Sequence, residues 1–132
     1  MNDILRDIPD SFDSERLTLR SPRPGDGAAV NAAVLDSLNE LRPWMVWAQQ
    51  TPTVEENERY VREAHIRFLK REDLPLLLFL KGTRTMVGTS GLHHINWAVP
   101  KVEIGYWVRT PYAGQGYITE AVAAVTAFAF TT

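Results

Sequence analysis

The sequence predicts an α+β domain, a mostly antiparallel mixed sheet flanked by helices. Three observations carry this. Residues 16–20 alternate apolar and polar side chains, the mark of a half-buried strand. Two stretches with apolar residues at 3.6-residue spacing follow. Three short apolar runs with brief connections come next, then another helical stripe.

Composition sets the frame. The chain has 132 residues, 45% hydrophobic and 23% charged, which is ordinary usage for a single folded domain and excludes extensive disorder. A net charge of -2 argues against nucleic-acid binding, which usually rests on a basic excess. With no cysteine, there is no disulfide, thiolate metal site or cysteine nucleophile. The first seven residues carry no apolar core behind a basic stretch, so no signal peptide is expected. The longest apolar run, residues 74–80, is too short to span a membrane. A cytoplasmic protein is expected.

Along the chain, residues 1–14 are polar and read as a tail or cap. Residues 15–132 read as the folded domain. The strand Arg16-Leu17-Thr18-Leu19-Arg20 is broken by Ser21-Pro22-Arg23-Pro24-Gly25. Asp26 is placed to cap a helix whose stripe is Val30, Ala33, Val34, Leu38 and Leu41, ending before Pro43. An aromatic-rich connection with Trp44 and Trp47 leads to Thr53-Val54-Glu55-Glu56, a capping box. The helix behind it places Tyr60, Val61, Ala64, Phe68 and Leu69 on one face, with a solvated charged face opposite. Residues 76–80 form a buried strand, residues 81–84 a tight turn, residues 86–95 a second strand. A third runs from Pro100 to Val108, completing an antiparallel meander. After Gly114-Gln115-Gly116 a helix carries Ile118, Ala121, Val122, Val125 and Phe128. No capping Gly or Asn follows it, and the chain reads as cut inside a domain.

The chemistry concentrates in residues 103–121. There a strand meets a glycine-containing loop that opens directly into a helix. A helix N-terminus offers unpaired amides and the positive end of a dipole, which suit a phosphate or diphosphate. Two glycines permit positive φ and close approach of the backbone. No Gly-Lys-Ser/Thr follows, so this is not a Walker A loop. The third glycine and the parallel unit of a dinucleotide fingerprint are missing too. A glycine turn that merely tightens the junction is the plain alternative.

Three motifs in order resolve the choice. They are Glu15-Arg16-Leu17-Thr18-Leu19-Arg20; Leu41-Arg42-Pro43-Trp44-Met45-Val46-Trp47-Ala48; and Glu103-Ile104-Gly105-Tyr106-Trp107 with Gly114-Gln115-Gly116-Tyr117 and Thr119-Glu120-Ala121. Together they resemble the GNAT N-acetyltransferases, most closely the RimJ/RimL-type branch that acetylates ribosomal-protein N-termini. The resemblance covers nearly everything from Glu15 onward. The superfamily loop pattern, Gln/Arg-x-x-Gly-x-Gly/Ala, is broken at Pro111, which lacks an N–H. The family fold also continues with a further strand, helix and hairpin that these residues do not include.

The resemblance implies acetyl transfer from acetyl-CoA, as cosubstrate, to a primary amine such as a ribosomal or other protein N-terminus. It assigns the pantetheine arm to backbone groups of Trp107, Val108 and Arg109. The pyrophosphate falls to main-chain amides of Ala113, Gly114, Gln115, Gly116 and Tyr117. Glu103, at the start of that strand, is the candidate base, acting through water; a strand-edge carboxylate in an ion pair is the alternative. His93 and His94 point to opposite strand faces, so one faces the cleft and can serve a water relay; a hydrogen-bonded structural histidine is the favoured alternative for either. They make no metal site, for no third ligand stands at suitable spacing. Trp44 and Trp47 are expected to wall the amine pocket, or else to plug helix against sheet. Tyr106 and Tyr117 read as packing residues. An exposed sheet edge would favour self-association or a homodimer. The alternative to an enzyme is a CoA-binding module without turnover.

Overall fold

The computed structural model describes residues 7–41, 51–96 and 101–131. Their strands are β1 (Ser11–Asp13), β2 (Leu17–Arg20), β3 (Leu74–Leu80), β4 (Met86–Asn96) and β5 (Lys101–Val108). The helices are α1 (Gly27–Leu41), α2 (Val54–Lys70) and α3 (Tyr117–Thr131), with a 3-10 turn at Thr110–Tyr112. The strands pair in sequence order, every neighbour antiparallel. The expected meander is therefore present, and β2 joins it through β3.

Alternation divides the sheet into two apolar faces. Leu17, Leu19, Leu74, Leu76, Leu78 and Leu92 pack with Ala121, Val125 and Phe128 of α3. Leu77, Phe79 and Met86 pack with Val30, Ala33, Val34 and Leu38 of α1 and Val61 of α2. The polar opening segment contributes more than a tail. Ser11, Phe12 and Asp13 pair with Arg20, Leu19 and Thr18, and Phe12 stacks on Phe128 at 4.6 Å. Too short and too polar to show a strand period, it is held by its partners.

Two local expectations are corrected. Asp26 does not cap α1 with its carboxylate, which is engaged by the Arg20 guanidinium at 2.7 and 2.8 Å and the Arg23 amide. Glu58 of α2 accepts from the Gly25 and Gly27 amides at 2.9 Å instead. A bidentate arginine outcompetes a local amide for the same oxygens. The buried stripe of α2 is Asn57, Val61, Ala64 and Phe68, while Tyr60 and Leu69 flank it at 39% and 51% exposure. The capping box of Thr53 and Glu56 forms as read. No described helix is long and apolar enough to cross a membrane.

Candidate active site

The strand-to-helix junction is built in three steps. Past β5, Tyr112 and Ala113 donate their amides to Arg109 and Thr110 carbonyls, closing the 3-10 turn. Pro111 sits early in that turn, where its missing N–H costs nothing and its fixed φ helps. Gly114 and Gly116 then take φ of 78° and 81°, conformations that only glycine adopts without strain.

The loop's donors are left over by this path. The amides of Gly114, Gln115 and Gly116 have no acceptor among the described residues. The Glu120 amide donates to the Gly116 carbonyl, so the first-turn amides of α3 before it have no helical partner. Consecutive N–H groups at a helix N-terminus form an anion cradle. This fits the diphosphate of acetyl-CoA. The Ala113 amide, also in the expected set, donates to the Thr110 carbonyl at 3.1 Å within the 3-10 turn.

The backbone of β5 also sorts itself. The Arg109 amide donates to the Val87 carbonyl at 2.6 Å, and the Trp107 carbonyl abuts Gly88. Both therefore face β4. Since backbone groups alternate sides along a strand, the outward ones belong to Tyr106 and Val108. Of the three positions expected to hold the pantetheine arm, Val108 keeps that orientation; Trp107 and Arg109 do not. Tyr106 is 57% exposed and is not the packing residue expected, whereas Tyr117 packs against Tyr112 and the Arg16 guanidinium.

A cavity of about 500 Å³ lies between α1, α2 and the sheet. Val30, Val34 and Trp107 make it apolar, and Glu56, Asn57, Tyr60 and His93 bring polar groups to it. Trp107 and His93 thus line a cleft. The His93 ring lies across Gly105, where an added Cβ would meet it at 2.9 Å. In the β4–β5 ladder His93 stands opposite Glu103. The side chains of Glu103 and His94 lie outside the described residues, as do Trp44 and Trp47.

Several contacts of the site were not read from the sequence. Asn31 donates to Asn57 Oδ1 and the Pro52 carbonyl, both at 2.9 Å, fixing α1 to α2 beside the cavity. The signal was there: Asn57 is the polar member of an otherwise apolar stripe. Arg109 pairs with Asp36 at 2.6 Å, joining α1 to the end of β5. Glu120, in the first turn of α3, resists partial burial. Hydrogen bonds from the Ser14 hydroxyl, the Arg16 amide and the Arg16 guanidinium outweigh that cost and hold its carboxyl below the ordinary range.

This architecture and sequence have known counterparts. Residues 16–132 match the acetyltransferase (GNAT) domain family model. A curated relative, "Putative ribosomal N-acetyltransferase YdaF" of Bacillus subtilis (strain 168), is 23% identical over 118 residues, covering 89% of this chain and 63% of the relative. The structure of RimL, a ribosomal L7/L12 alpha-N-protein acetyltransferase in complex with coenzyme A, superposes with a TM-score of 0.78 at 23% identity. It covers 91% of this chain and 65% of RimL. The microcin C7 self-immunity acetyltransferase MccE, solved with acetyl-CoA and AMP, gives 0.79 at 18% identity, over 86% of this chain and 63% of MccE. The chain spans just under two thirds of the length of these three proteins. With the family model matched over all but its first 15 residues, the chain belongs to the GNAT acetyltransferase family.

Proposed function

We propose that this chain serves an N-acetyltransferase that moves the acetyl group of acetyl-CoA to a primary amine, the α-amine of a protein N-terminus. The observation that carries the reading is the run of amides from Gly114 to Gly116, without an acceptor among the described residues, continuous with an outer strand whose Val108 backbone faces away from β4. Acetyl-CoA supplies an activated thioester, and residues of this chain bind and orient it. The Gly114–Gly116 amides and α3 hold the diphosphate. The Val108 amide orients the thioester carbonyl and stabilises charge developing on its oxygen.

The amine must be neutral to attack. An α-amine has a pKa near 8 and a lysine amine near 10.4, so the α-amine needs less help from a base. Glu103 is the proposed base, through water. Its register position opposite cavity-lining His93, two residues from Gly105, supports this. The new bond is N–C and the bond broken is C–S; CoA leaves as its thiolate, and the amine proton passes through water to the base. Low-identity likeness to ribosomal-protein acetyltransferases supports a protein N-terminus as acceptor. Trp44 and Trp47 remain proposed pocket walls. Self-association is part of the proposal, and a monomer by light scattering at high concentration argues against it.

The test is acetyl transfer to peptides with free and with blocked α-amines. Transfer only to the free amine is expected. Glu103→Gln should lower kcat by about 10²-fold or more while leaving acetyl-CoA affinity intact. Equal losses in both remove Glu103 from the base role. Binding without any turnover leaves a CoA-binding module.

A further inference from the structure

We propose that Arg16 is a positioning residue for the diphosphate loop. It acts by fixing the peptide between Gln115 and Gly116 and so aiming the Gly116 amide. The inference rests on the diphosphate reading of that loop.

Arg16 lies just before β2, 99 positions from Gln115 in sequence. Its Nη1 donates to the Gln115 carbonyl at 3.0 Å. Its guanidinium lies 4.3 Å from the Tyr117 ring centroid, and Nη2 is 3.3 Å from where a Gly116 Cβ would stand. One side chain therefore touches three consecutive loop residues. In a trans peptide the carbonyl and the following N–H point in opposite directions. Drawing the Gln115 carbonyl toward Arg16 turns the Gly116 N–H away from it. That amide is one of those without an acceptor among the described residues.

The guanidinium is itself held. Nε donates to Glu120 Oε1 at 2.6 Å. The Arg16 amide donates to Glu120 Oε2 at 2.7 Å, and the Ser14 hydroxyl donates to the same oxygen. Glu120 stands in the first turn of α3, so the arm and the helix that complete the cradle move as one piece. Glu120 also offsets the charge of Arg16. The contribution of Arg16 is therefore directional rather than a gain in net positive potential. A lysine restores the charge but has no planar fork to serve a carboxylate, a carbonyl and a ring face at once.

The experiment compares wild type, Arg16→Lys and Arg16→Gln with two ligands, acetyl-CoA and S-acetylpantetheine, which lacks the diphosphate. Affinities are followed by NMR titration, and circular dichroism reports folding. Both variants are expected to bind acetyl-CoA about tenfold or more weakly, with S-acetylpantetheine unchanged. Wild-type affinity in a folded Arg16→Gln chain overturns the proposal. So does equal weakening for both ligands, which marks a general structural role, and so does full rescue by lysine, which marks a charge effect. Should Arg16→Gln fail to fold, Arg16→Lys alone decides by the same ratio of affinities. If wild type fails to bind acetyl-CoA, the diphosphate reading falls and this proposal with it; if wild type binds and the variants match it, this proposal alone falls.

Discussion

The Thr110 amide donates a 2.9 Å hydrogen bond to the hydroxyl of Ser37, which is fully buried. It ties the C-terminal half of α1 to the turn that leads into the Gly114–Gly116 loop. One residue away on each side, Asp36 and Arg109 form an ion pair at 2.6 Å, with Asp36 42% exposed. Two links thus join the helix over the cavity to the end of β5.

The buried link should outweigh the charged one. Ser37→Ala removes an acceptor from a partly buried N–H and is expected to cost about 1–2 kcal/mol. Asp36→Ala breaks a solvent-screened pair worth about 0–1 kcal/mol. Urea denaturation of the two variants checks the order. A larger loss for Asp36→Ala contradicts it.

Gly105 is needed because the His93 ring crosses it. A Cβ there would lie 2.9 Å from Cδ2 and 3.2 Å from Nε2 of that ring. Gly105→Ala should displace His93 into the cavity. We expect about 1–3 kcal/mol of destabilisation from overpacking and a marked fall in kcat/KM. Thermal melting and steady-state kinetics read the two effects; unchanged values in both remove His93 from the cavity floor.

Gly114→Ala isolates the loop's conformation, since an added Cβ meets nothing within 4 Å and only the φ of 78° is strained. The expected cost is about 1 kcal/mol in stability. Acetyl-CoA affinity should fall while S-acetylpantetheine binding stays. Comparative titration checks this, and equal effects on both ligands would contradict it.

Acid should weaken the fold through Glu58. Hydrogen bonds from Arg62 first, then from the Gly25 and Gly27 amides, lower its pKa from 4.5 to about 2. Glu120 is lowered as well. Between the two values the unfolded chain binds the proton and the folded chain does not, so stability falls as pH drops through that window. Urea midpoints should therefore decline from 4.5 toward 2, and more gently in Glu58→Gln. An identical decline in the variant would show that Glu58 does not contribute.

Much of this was legible because local chemistry and fold agreed. The capping box at Thr53 and Glu56 forms as written, and the helical stripe of α3 faces the sheet with Ala121, Val125 and Phe128. Gly114 and Gly116 announced positive φ. What could not be read was set by distant partners. Asp26 looked like a cap until Arg20 engaged it, and Ser11–Asp13 became a strand only through β2. Which backbone groups of β5 face outward depends on the register with β4, which composition does not encode. Arg16 lies in a recognised motif, but its contact with a loop nearly a hundred residues away has no local signal.

The proposed function stands or falls with the Gly114–Gly116 amides holding the diphosphate of acetyl-CoA. Calorimetric titration of acetyl-CoA into this chain tests it most directly, with S-acetylpantetheine as comparator. Saturable one-to-one binding, clearly weaker without the diphosphate, is expected. A folded chain that fails to saturate, or that binds both ligands equally, would contradict it.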